Sequence, residues 1–137
     1  MLKISLIFLL LLSSINLAFA GVAVIVNPSN PINLSHAELA KLYLGKTKSF
    51  SNGDKCTPVS LSDNNPLSQT FRSSILNKSA SQLKAYWSKR IFTGKGRPPK
   101  QLESVTSIKQ FVANDTSAIA YIDETDVDAS VRVVFVF

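Results

Sequence analysis

Six side chains in two stretches have the chemistry to hold a small anion. Four are Asn64, Asn65 and Ser68 in Asp63-Asn64-Asn65-Pro66-Leu67-Ser68, with Arg72 one helical turn further on. The other two are Asn27 and Ser29 in Asn27-Pro28-Ser29. Asparagine and serine offer N–H and O–H donors, and a guanidinium can grip an oxyanion with two parallel hydrogen bonds. Donors at the start of a helix add to the unpaired N–H groups and partial positive charge already there. Asn65 suits an N-cap and Pro66 suits the first helical position. The plain alternative is therefore a well-capped helix start whose donors serve only the helix. Arg72 is either an anion ligand or a solvated helix residue, since its side chain is long enough for both.

These groups need a strand and a helix to place them. Thr57 to Leu61 is short, apolar and β-favouring, and it runs directly into the polar turn. Leu67, Phe71 and Ile75 then share one helical face. Asn27 closes an apolar strand, Gly21 to Val26, and opens a turn cluster that runs through Pro31. With each turn at a strand end, the expected site lies on a single carboxyl edge of a sheet.

The other elements read in order. Ser35 and Glu38 form a capping box, with Leu34 and Leu39 as its hydrophobic staple. Leu39, Leu42 and Tyr43 face inward, and Gly45 ends that helix. Ser79 and Gln82 form a second capping box, followed by Leu83, Tyr86, Trp87, Arg90 and Ile91 at helical spacing. Trp87 on that stripe reads as core. Thr93 to Lys100 is a basic Gly/Pro loop, read as solvated, and it lacks the spacing of a phosphate-cradling P-loop. A helix from Ser104, a strand Ala118 to Ile122, an acidic loop Asp123 to Asp128 and a strand Val131 to Phe137 complete the chain. The order β-α-β-α-α-α-β-β implies an α/β domain, with about four strands in a mixed sheet covered by four helices.

Residues 1–20 read as a signal peptide. Lys3 gives the positive start, Ile4 to Leu12 is apolar apart from Ser5, and Ala18-Phe19-Ala20 is a small-residue cleavage site. An exported, periplasmic product from Gly21 is expected, as one domain over 21–137. Its 117 residues carry 14 basic and 9 acidic side chains. That excess suits small anions or an acidic surface and gives no argument for nucleic acid. The single Cys56 cannot form an internal disulfide and reads as a structural thiol. His36 has no nucleophile or metal partner framed around it, so neither an enzyme nor a metal or other cofactor is expected.

Several segments resemble the periplasmic phosphate-binding proteins of ABC importers. Leu39-Ala40-Lys41-Leu42-Tyr43-Leu44-Gly45-Lys46 is similar to their L-x-x-I-Y/F-L-G-K helix end. Pro58-Val59 and the Asp63 to Phe71 turn resemble their phosphate loop, and Phe92-Thr93-Gly94-Lys95-Gly96 their glycine-rich loop. Ile108 to Val112 followed by Ser117 to Ile122 resembles their closing helix and strand. The resemblance implies one lobe of a two-lobed binding protein, the second, standing alone. It implies phosphate or another small anion as ligand, and a membrane permease as a possible partner. In the family's pattern an arginine would stand at Leu61 and Ser-Gly-Thr at Asn65-Pro66-Leu67, while Asp63 is kept. Ser117 and Ala120 stand in place of glycines. The implied ligand site, made of Asn27, Ser29, Asp63, Asn64, Asn65, Ser68 and Arg72, is therefore a weakened one. The alternative is a ligand-free module that docks on an envelope sensor, transporter or secretion partner.

Overall fold

The computed structural model describes residues 21–137. Five strands form one mixed sheet: β1 (Val22–Val26), β2 (Thr57–Leu61), β3 (Lys100–Leu102), β4 (Ala118–Asp123) and β5 (Arg132–Val136). Their spatial order is β3-β2-β4-β1-β5. β2 runs parallel to β3 and β4, whereas β1 runs antiparallel to both β4 and β5. The sheet thus has one strand more than the sequence suggests. β3 is only three residues long, polar, and exposed at the sheet edge, so it carries neither the length nor the alternation that marks a strand.

The helices are α1 (His36–Tyr43), α2 (Pro66–Phe71), α3 (Ala80–Phe92) and α4 (Val105–Asn114). Both capping boxes form: Ser35 with Glu38 on α1, and Ser79 with Gln82 on α3. Asn65 caps α2, and Ser104 caps α4. After Phe71 the chain widens into one π-helical stretch, Arg72–Leu76, which Asn77 ends in the left-handed conformation. The alternation of strand side chains puts α1 and α2 on one face of the sheet and α4 on the other. Tyr43 and Phe71 meet Tyr121 of β4 on the first face, with the Phe71 and Tyr121 rings stacked at 4.3 Å. Ile108 and Val112 are fully buried on the second.

β1 is the most deeply buried element, since all five of its residues lie inside. The middle of a sheet covered on both faces needs this unbroken apolar run. Helix α3 stands apart. Tyr86 Oη donates to Leu44 O at 2.6 Å and Arg90 to Gly45 O, so α3 leans on the end of α1. Trp87 is buried but lies outside the main core cluster. Ile91, placed on the apolar stripe by its spacing, is 52% exposed, and Phe92 is 92% exposed. The helical spacing continues past the point where α3 still has a neighbour to cover it. Among the described residues, no helix is long and apolar enough to cross a membrane. The signal-peptide assignment falls on residues 1–20, outside the described residues.

Candidate functional site

The strand-turn-helix at Leu61 to Arg72 forms as its sequence implies. β2 ends at Leu61, Asn65 caps α2, and Pro66 occupies its first position. The donors there are nevertheless engaged within the turn. Asn65 Oδ1 accepts from Leu67 N at 2.9 Å, and Asn65 O accepts from the amides of Ser68 and Gln69. Ser68 is buried: its Oγ donates to Leu61 O at 3.1 Å and lies 2.8 Å from Tyr121 Oη. Asp63 Oδ1 accepts from Gln101 Nε2 of β3. Asn64 is exposed, and half-buried Arg72 makes no side-chain hydrogen bond or ion pair among the described residues.

Asn27 and Ser29 do not join this group. Because β1 runs antiparallel to β4, Val26 pairs with Ile119 at the start of β4, next to where β2 begins. The turn after β1 therefore lies at the opposite edge of the sheet, about 16 Å away for a five-residue strand. The expectation of one shared edge assumed parallel strands, and β1 breaks it. Asn27 is also fully used: Nδ2 donates to Val112 O and Ala113 O, and Oδ1 accepts from Ser29 N. These bonds pin the loop to the end of α4, with Asn30 doing the same at Thr116 O.

Charge at the strand-end edge is largely negative. The register puts Asp63 after β2, Glu103 after β3, and Asp123 with Glu124 at the end of β4 on that edge. Arg72 is the cation of the turn. Leu61, at the place of the family's arginine, is 1% exposed and belongs to the core.

The larger unassigned feature is at the other edge. A cavity of about 320 Å³ opens there between the end of α1, the start of β2, Trp87 and the loop before β3. Cys56 stands in its wall, and burial pushes the thiol up to about 12. The Thr93 to Lys100 loop reads from sequence as solvated. Its density of basic residues was the one signal that pointed here. His36 is exposed and its Nε2 lies 2.9 Å from Ser74 O. Among the described residues, no group of three or more His, Cys, Asp or Glu is placed to hold a metal.

The fold is similar to part of several solved phosphate-transport proteins. An ABC-type phosphate transport receptor from Vibrio cholerae superposes with a TM-score of 0.65 at 21% identity, over 84% of this chain and 45% of that one. A protein from Clostridium perfringens, assigned as a phosphate ABC transporter substrate-binding protein and solved with bound phosphate, gives 0.64 at 22%, over 84% and 44%. PstS from Borrelia burgdorferi gives 0.63 at 12%, over 84% and 46%. The chain thus spans less than half the length of these neighbours. No family model and no curated protein matches the sequence.

Proposed function

We propose that this chain is an exported solute-recognition lobe of the phosphate-import type, which holds a small oxyanion weakly at the Asp63 to Arg72 turn. The observation that carries this reading is the superposition of 84% of the chain on a phosphate transport receptor, with a strand-turn-helix at Leu61 to Phe71. The signal-like residues 1–20 accord with export to the periplasm. One open lobe leaves half of a bound ion facing solvent, and the internal hydrogen bonds of Asn65 and Ser68 remove donors that an ion would use. Weak capture, or capture completed by a permease or a second polypeptide, follows. The role is binding rather than catalysis. Isothermal titration with phosphate and sulfate tests it. Heat at millimolar ligand that is reduced in Arg72→Gln is the expected result, and no heat at all would overturn the oxyanion reading.

A second reading, a docking module, has its own support. β5 is an edge strand, and Val133 and Val136 on it are 36% and 47% exposed. An unpaired strand rim with apolar side chains is a surface that another strand can extend. Capture from envelope extract with the natural protein and with Val133→Lys/Val136→Lys separates the readings. Equal recovery of every partner would remove strand pairing.

A further inference from the structure

Five basic residues, Lys48, Lys55, Lys95, Arg97 and Lys100, line the 320 Å³ cavity at the head of β2, and the Lys100 ammonium is turned to the Phe111 ring of α4 at 5.5 Å. No carboxylate lines it. None of the five is in an ion pair among the described residues. The nearby Asp115 is already tied to the amide and hydroxyl of Ser117, and the Lys55 charge helps hold it below the usual carboxylate range. Four of the 14 basic residues beyond position 20 thus gather around one opening, with Lys100 at its margin. Like charges so gathered repel unless an anion joins them.

The wall is arranged to keep other negative charge out. The end of a helix presents carbonyls that would oppose an anion. At the end of α1, Leu44 O accepts from Tyr86 Oη, and Gly45 O accepts from Arg90 Nη2 at 2.9 Å. Arg90 also donates to Lys95 O at 3.3 Å, which clamps the basic loop against α1. Its guanidinium sits over the Tyr86 and Trp87 rings, and its Nε is buried without an acceptor. Cys56 keeps its proton and adds no charge. Thr47 and Thr57 add hydroxyls to the wall, and Trp87, Leu42, Pro58 and Pro98 give it an apolar side. The volume lies at the low end of the range for small-molecule sites, larger than a bare oxyanion requires.

We propose that this pocket binds a small organic phosphate, with the doubly charged group among Lys55, Arg97 and their neighbours and the organic body against Trp87. Several lysines and an arginine match a dianion better than a single carboxylate, and the apolar wall accounts for the remaining space.

Trp87 is the only tryptophan of the chain, so its emission reports on the site directly. The probe is phenyl phosphate, added to the purified protein while fluorescence and heat are followed. A saturating change is expected, weakened by added salt. Inorganic phosphate should bind at least about tenfold more weakly, and phenol at the same concentration should not bind. Lys55→Gln/Arg97→Gln removes two exposed cations and should lose at least about tenfold in affinity with an unchanged melting temperature. No response at millimolar phenyl phosphate, full binding by the double variant, or equal binding of inorganic phosphate or phenol would each overturn the proposal. Phosphate heat that disappears in Arg72→Gln and persists in Lys55→Gln/Arg97→Gln belongs to the strand-end turn, so either reading can fail alone.

Discussion

The hydroxyls of Ser68 and Tyr121 lie 2.8 Å apart in the interior, joining α2 to β4. Ser68 gives its own proton to Leu61 O, so Tyr121 is the donor between them. Ser68→Ala removes that acceptor from the buried Tyr121 phenol, which keeps Ser60 and Leu61 as partners, at a cost of about 1 kcal/mol. Adding Tyr121→Phe should recover part of that loss, because removing both partners costs less than orphaning one. Urea unfolding of the two single variants and the double variant checks this. A double variant less stable than the sum of the singles would show that the pair is not what holds the helix.

Arg90 ties together the end of α1 and the basic loop. Arg90→Met keeps much of the side-chain length but loses both hydrogen bonds and the stacking, for about 1–3 kcal/mol. Amide hydrogens in the Lys95 to Lys100 segment should exchange faster. Arg90→Lys should not restore the slow exchange, since a single ammonium cannot reproduce the planar fork.

Cys56 is buried, and its thiol is pushed up to about 12 by desolvation. A thiol reagent at pH 8 should label the native protein far more slowly than the unfolded chain. The same shift acts on stability. A group whose native value is raised contributes fully below its ordinary value, here 9.0, and loses that contribution as pH climbs toward 12. Tyr43 and Tyr121 are raised too, mainly by burial, and add to the alkaline loss above 10. Cys56→Ala should therefore remove the earliest part of the alkaline fall in melting temperature.

At the acid end the carboxylates act in the opposite sense. Asp128 is drawn down to about 2, first by its hydrogen bond from Lys109 and then by Ser130. Asp115 and Asp123 are lowered chiefly through Ser117 and Thr125. Stability from such groups is complete above the ordinary 3.8 and is lost as pH falls through the native values. Melting temperature should hold to about pH 4 and then decline toward pH 2. Asp115→Asn/Asp123→Asn should flatten that decline. An unchanged curve would assign acid sensitivity elsewhere.

The local signals in the sequence were dependable. Ser35, Asn65, Ser79 and Ser104 cap the four helices, because capping depends on residues only two or three apart. The layered α/β fold was readable from the order of its elements. Strand direction was not. Nothing within Val22–Val26 states that it pairs antiparallel with a strand more than ninety residues away, so Asn27 and Ser29 were placed at the wrong edge. β3 escaped notice for want of length. The cationic pocket draws on four separate segments, and only tertiary packing brings Lys55 to Arg97.

The position of β1 between β4 and β5 also bears on how the protein is born. Val22 exchanges both main-chain hydrogen bonds with Phe137, at 2.9 and 3.1 Å. β1 must wait for β4 and β5, more than ninety residues further on, before it has any neighbour in the sheet. Contacts this distant in sequence form slowly. The sheet therefore cannot close around β1 until the segments at Ala118–Asp123 and Arg132–Val136 are available to pair with it.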